Sequence, residues 1–167
     1  MGEKGALPAF RLAPLSARDA RAAAELFHET VHAVNARDYT SEQLDAWAPG
    51  GAGPARRLAE RLLRQGALGA WDGSTLVGFG SLEGADLLDM LYVHRDYQGW
   101  GVARLLAGAL EREARGRGAH AVRTFASITA RPFFERRGYV VLRENSVVRA
   151  GVQLTNFLME KGLGTGR

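Results

Sequence analysis

Apolar and polar positions along the chain follow two periods, and the changeovers between them mark the elements. Phe10 to Leu15 reads as a short opening strand. Ser16 to Asp19 then supplies side-chain acceptors for the free N–H groups of a helix start. Leu26, Phe27, Val31 and Val34 recur at helical spacing, which predicts a helix from Ala17 to Val34. Ser41 caps a second, short helix that stops at Pro49, and Pro49 to Pro54 reads as a loop. A third helix is predicted from Ala55 to Gln65 on Leu58, Leu62 and Leu63.

Beyond Gln65 the pattern becomes that of strands. Ala67 to Trp71 and Thr75 to Ser81 flank Asp72-Gly73, a hairpin signal, and Ala85 to Val93 adds a third strand of the meander. A helix from Gly101 to Gly116 carries Val102, Leu105, Leu106, Ala109, Leu110 and Ala114 on one face. Val122 to Ala126 is a strand, Ala130 to Arg137 a short helix closed by Gly138, and Tyr139 to Arg143 and Gln153 to Met159 the last two strands, with Gly151 in the turn. The order is that of an α+β sandwich (α/β mixed) with a mixed central sheet. The terminal hairpin argues against a purely doubly wound sheet. No repeat or linker-like stretch divides the chain, so residues 1–167 are read as one domain.

Composition narrows the chemistry. The chain has no cysteine, which excludes disulfides, cysteine-held metals and a thiol nucleophile. The opening residues lack a signal-peptide pattern, and no apolar run approaches the roughly 18 residues of a membrane span. A soluble, cytoplasmic protein with no membrane partner is the expectation. The formal charge of +4 suits a solvated surface or an anionic ligand. No helix-turn-helix, zinc site or aromatic–basic strand pattern points to a nucleic-acid partner.

The chemistry-bearing stretch is Leu88 to Leu106, LDMLYVHRDYQGWGVARLL. A strand runs into a glycine-rich turn that opens a helix. Such a helix start presents unpaired N–H groups and the positive end of the helix dipole, and glycines let the backbone approach an anion. A Walker A loop is excluded, because Arg104 follows Ala103 where a lysine–serine/threonine ending belongs. A dinucleotide fingerprint is excluded because Arg104 stands where its third glycine or alanine is required.

Gln98-Gly99-Trp100-Gly101-Val102-Ala103 resembles the Gln/Arg-x-x-Gly-x-Gly/Ala signature of the GNAT N-acetyltransferases. Ser127 to Tyr139, with Ala130, Phe133, Phe134 and Gly138, resembles the Asn-x-x-Ala-x-x-Phe-Tyr-x-x-x-Gly-Phe segment of the same family. The order of elements from Phe10 to Met159 agrees as well. The resemblance implies a mixed sheet of six to seven strands flanked by helices, with a V-shaped splay between the fourth and fifth strands. It implies acetyl-CoA as cosubstrate. Backbone N–H groups of Gly99, Gly101, Val102 and Ala103 would hold the pyrophosphate. Gln98, Trp100 and Arg104 belong to the same loop, Leu91, Tyr92 and Val93 would flank the acetyl and pantetheine groups, and Ser127, Phe133 and Phe134 would complete the cofactor side.

The implied reaction moves an acetyl group to a primary amine of a small molecule or peptide, by direct attack in a ternary complex. The amine must shed a proton, since an alkylammonium has pKa about 10.4. Asp89, which interrupts an apolar strand, is the candidate base. The family's usual acid is a tyrosine where this chain has Phe134, and its usual CoA-contacting asparagine is Ser127 here, so Tyr92 and Tyr139 are the candidate proton donors. His28 and His32, four apart on one helix face, together with Asn35, Tyr39 and Trp47, are candidate acceptor-side residues. No third ligand with metal-site spacing accompanies the histidines, so no metal is expected. The departures at Phe134 and Ser127 leave open a non-catalytic acetyl-CoA sensor. GNAT folds often dimerise, which makes a homodimer compatible with this reading.

Overall fold

The computed structural model describes residues 9–164. Its strands are β1 (Arg11–Pro14), β2 (Leu68–Asp72), β3 (Thr75–Glu83), β4 (Leu87–Val93), β5 (Ala121–Ser127), β6 (Val140–Arg149) and β7 (Val152–Gly162). Its α-helices are α1 (Ala20–Val34), α2 (Ser41–Trp47), α3 (Ala52–Gln65), α4 (Val102–Gly116) and α5 (Arg131–Arg136).

Several boundaries differ from the sequence reading for local reasons. A 3₁₀ turn over Ala17–Asp19 leads into α1. Thr40, not Ser41, caps α2: its hydroxyl accepts from the Gln43 N–H (3.2 Å), and the Gln43 side chain accepts from the Thr40 N–H (2.9 Å). The stretch read as a loop up to Pro54 already holds the first turn of α3. Gly51, at φ +103°, turns the chain, and Pro54 lies in the first turn, where a missing N–H forfeits no helical bond. β6 and β7 run longer than expected because they pair with each other to the hairpin tip, Arg149 opposite Val152.

The seven strands form one sheet in the order β1-β2-β3-β4-β5-β7-β6. Every pairing is antiparallel except β4 with β5. α1 and α3 cover one face through Leu26, Leu62, Phe79 and Met90. α4 covers the other, its Leu110 packing with Leu88, Val122 and Met159. Gly78 and Gly80 of β3 seat α4: an added Cβ would lie 2.9 Å from Val102 Cγ1 at the first and 2.8 Å from Leu110 Cδ1 at the second. The helix therefore lies closer to the sheet than any side chain at these positions would allow. No described helix is long and apolar enough to cross a membrane.

Two irregularities of β4 build the site. Its pairing with β3 skips a residue: Met90 faces Ser81 and Leu88 faces Leu82, so Asp89 is the extra residue of a β-bulge. The bulge puts Asp89 and Met90 on the same face, toward α3, where strict alternation would separate them. On its other side β4 pairs with β5 only at Leu87 and Leu88. From Asp89 onward the two strands part, giving the expected V-shaped splay.

Candidate functional site

The splay opens a cleft of about 420 Å³ between β4 and β5, bounded by the start of α4, by α5 and by the end of α1. The His94 N–H donates to the Val77 carbonyl (2.8 Å), so Val93 and Gly78 form a pair that does not exchange hydrogen bonds. The backbone groups of Val93, and of Leu91 two residues earlier, therefore point away from β3 and into the splay. The Val93 carbonyl is taken by the Gln98 amide (2.7 Å) and the Thr30 hydroxyl (3.2 Å). The N–H groups of Leu91 and Val93 and the Leu91 carbonyl face the cleft. At the fork itself the Thr124 hydroxyl donates to the Leu88 carbonyl (2.9 Å) and closes the apex.

The N-terminus of α4 opens onto the same cleft. Gly99 and Gly101 hold φ of +79° and +85°, a region that disfavours side chains. Gly101 is the N-cap, so no side chain caps the helix, and its first turn contains no acidic residue. The free N–H groups and the dipole of this end thus have no partner of their own, and they fit an anion such as a pyrophosphate. Gly99, Gly101, Val102, Ala103 and Arg104 all line the cleft. Gln98 lines it too, but its amide is spent in tying the loop to β4. Trp100 does not face the cleft; it points outward and is 45% exposed.

Asp89 and Tyr92 line the same cleft. The Asp89 side chain, 13% exposed, is gripped by the Arg61 guanidinium: Oδ2 accepts from Nε (2.9 Å) and Nη2 (2.5 Å), and Oδ1 accepts from Nη2 (2.6 Å). The Gln65 amide also donates to Oδ2 (2.5 Å). Three donors crowd Oδ2 and one meets Oδ1, which keeps lone-pair room for another donor. The Tyr92 ring sits edge-on to Phe27 (4.9 Å) and near Phe79. Burial pushes the Tyr92 hydroxyl's pKa well up, with the nearby Trp47 indole lowering it in part, so at neutral pH the group keeps its proton.

Ser127 accepts hydrogen bonds from the Ala130 N–H (3.0 Å) and from Asn35 (3.4 Å), and its own proton stays free to donate. Asn35 thereby links the end of α1 to the end of β5 across the cleft. Phe133 and Phe134 form the far wall, Phe134 almost fully buried.

Of the other sequence candidates, Tyr139, Tyr39 and the two histidines do not line this cleft, whereas Trp47 does. Tyr139 is buried in the core under α4, does not line the cleft, and donates its hydroxyl to Glu111 (3.0 Å). Burial, then the Glu111 charge, pushes its pKa far up, and a hydroxyl so placed has no route to a leaving group in the cleft. Tyr39 is a brace: it donates to the Thr155 carbonyl (2.6 Å) and accepts from the Ile128 N–H (2.9 Å). His28 and His32 stack at 4.3 Å and both bond the Ala48 carbonyl (2.9 Å each), fastening α1 to the end of α2. His28 also borders a second cavity, to which Trp47 contributes on one side while bordering the cleft on the other. Sequence reading missed Arg61, Gln65, Thr30 and Thr124. Arg61 and Gln65 do carry a signal, as polar residues four apart beside Leu58 and Leu62 on the buried side of a helix.

A forked mixed sheet with an uncapped helix start at the fork agrees with the acetyltransferase resemblance read from the sequence. A family model described as the acetyltransferase (GNAT) domain matches residues 35–161. The chain belongs to the GNAT acetyltransferase family. It is 32% identical over 136 residues to the "Uncharacterized N-acetyltransferase YafP" of Escherichia coli strain K12, covering 80% of this chain and 83% of that one. The crystal structure of a GCN5-related N-acetyltransferase from Rhodopseudomonas palustris superposes with a TM-score of 0.87 at 41% identity, covering 94% of this chain and 96% of the other. PaiA N-acetyltransferase of Thermoplasma acidophilum, solved with coenzyme A, shares the fold at 20% identity and a TM-score of 0.74, covering 92% of this chain and 99% of the other. Of the sequence-based alternatives, the family match favours a transferase over a sensor.

Proposed function

We propose that this protein transfers the acetyl group of acetyl-CoA to a primary amine of a small molecule or peptide, by direct attack while both are bound. The observation that carries this reading is the coincidence of two features. β4 frees its backbone from β5 where the uncapped start of α4 opens. One end suits a pyrophosphate, and the freed strand edge suits the pantetheine arm and the thioester.

In this reading the amine nitrogen attacks the thioester carbonyl, the C–N bond forms and the C–S bond breaks. The N–H of Leu91 or Val93 donates to the oxygen as it gains charge. Asp89, at Oδ1 or through one water, takes the proton that the ammonium must lose. Arg61 and Gln65 hold that carboxylate in place. The departing thiolate takes a proton from the Tyr92 hydroxyl or from water, and the second proton shed by the new amide nitrogen restores that donor, so one proton in net leaves through Asp89. Ser127 and Asn35 fix the far rim against the pantetheine arm.

Calorimetric titration of acetyl-CoA, followed by thiol-release assays over a panel of amines, tests the reading. Binding with turnover supports it, binding with no turnover on any amine favours a sensor, and absence of binding overturns it.

A further inference from the structure

The second cavity, about 960 Å³, shares Trp47 with the cleft and is bordered by Arg61, the ion-pair partner of Asp89. α1, the turn into α3, α3 itself and Met90 of β4 form its walls. Arg149, at the tip of the β6–β7 hairpin, closes it. The tip is not loosely hung: Gln43 of α2 donates to the Gln153 carbonyl (3.0 Å) and Tyr39 to the Thr155 carbonyl. Trp47 borders both cavities, and Arg61 borders this one while gripping Asp89 on the wall of the other. A molecule seated here lies against Met90, the neighbour of the bulge residue Asp89.

The cavity is apolar on its floor, through Phe27, Trp47, Leu58 and Met90, and its rim is rich in arginine. Arg21 is paired with Glu25 (3.0 Å), Arg56 approaches Glu60 (3.9 Å) and Arg61 is held by Asp89. Among the described residues, Arg57 and Arg149 have no carboxylate within 4.0 Å. Glu29 is the remaining carboxylate on the walls. Arg149 lies near enough to Tyr92 for its charge to lower that hydroxyl's pKa, which sets it beside the junction of the two cavities.

We propose that this cavity takes the acceptor and selects an amine whose body also carries an anionic group, a carboxylate being the simplest, with Arg149 as the principal anchor and Arg57 as the second. The ammonium end then points to Asp89 and the apolar body rests on Trp47 and Met90. This rests on the acetyl-transfer reading above and names the substrate class of the same site.

The test uses matched probes: glycine, 4-aminobutanoate and 4-(aminomethyl)benzoate, each beside its carboxamide. They are titrated into protein saturated with CoA and separately assayed for thiol release from acetyl-CoA. At least one acid should bind about tenfold or more tighter than its amide, the worth of one charge-assisted contact. Arg149→Gln should remove that preference and raise KM for the acid with a smaller change in kcat, while acetyl-CoA affinity stays. Arg149→Lys should restore part of it. Equal binding of acid and amide in every pair, or a preference that survives in the Arg57→Gln/Arg149→Gln double variant, overturns the proposal. Acid-selective, Arg149-dependent binding without thiol release upholds the anion site and overturns the transfer reading instead.

Discussion

Gly101→Asp separates the fold from the proposed pyrophosphate site. Gly101 has φ +85° and no heavy atom within 4 Å of an added Cβ, so a side chain meets no steric obstacle there. The fold loses only what a left-handed conformation costs a side chain, about 1–2 kcal/mol. For a domain of this size that lowers Tm by about 2–8 °C. The new carboxylate, however, sits among the N–H groups that would hold a phosphate. Two like charges about 4 Å apart repel by about 1 kcal/mol in water and about 4 kcal/mol at an effective dielectric of 20. A middle value near 2.7 kcal/mol corresponds to about a hundredfold loss of acetyl-CoA affinity. Calorimetry on the wild type, Gly101→Asp and Gly101→Ala reads this directly, because the alanine variant carries the backbone strain without the charge. A Gly101→Asp protein that binds acetyl-CoA within a factor of about three of wild type would refute the assignment. An alanine variant as weak as the aspartate one would show that strain, not charge, is responsible.

Other expectations follow from the geometry. Asp89→Asn should cut turnover by about 10²–10⁴-fold, most severely at low pH where fewer amines are already neutral; an unchanged pH–rate profile would remove Asp89 as base. Gly80→Val should destabilise by about 1–3 kcal/mol, since its Cβ meets Leu110 at 2.8 Å and the Met90 carbonyl at 3.1 Å, and should weaken acetyl-CoA binding by displacing α4, both read by thermal melts and calorimetry. Glu111→Gln should cost about 3 kcal/mol by stripping Arg137 (2.6 Å) and Lys161 (3.2 Å) of their buried partner. Burial alone would raise the Glu111 pKa, but Arg137, then Lys161 and Tyr139, outweigh it and hold the carboxyl below its ordinary 4.5. Its contribution is therefore complete above that value and lost as pH falls through the lower folded value, so the variant should show a shallower loss of stability in acid.

The glycine-rich start of α4 was readable because its signal is local: Gly99 and Gly101 precede a helix whose apolar period is clear. The terminal hairpin was reachable from turn residues, whereas the six-to-seven-strand sheet and its splay followed from the family resemblance. The bulge was reachable from neither. Leu87 to Val93 is apolar apart from Asp89, and a single extra residue leaves no mark in a nearly continuous apolar run. Nor could sequence tell that Tyr39 and Tyr139 are spent on structural bonds to Thr155 and Glu111, since those partners are far along the chain. Nor does the spacing of the histidines reveal that both bond one backbone carbonyl, that of Ala48, although His28 also borders the second cavity.

The extra residue in β4 also bears on how such a sheet could acquire its acid. Leu88 still faces Leu82 and Met90 still faces Ser81, so the ladder on either side of Asp89 matches that of a strand one residue shorter. Removing Asp89 would join two intact registers, and each neighbour would keep the face it has now. The carboxylate thus enters the sheet as an insertion, without replacing an apolar side chain of either core. Related sheets that differ by one residue at this point could share all of their packing and differ only in whether an acid stands beside the cleft.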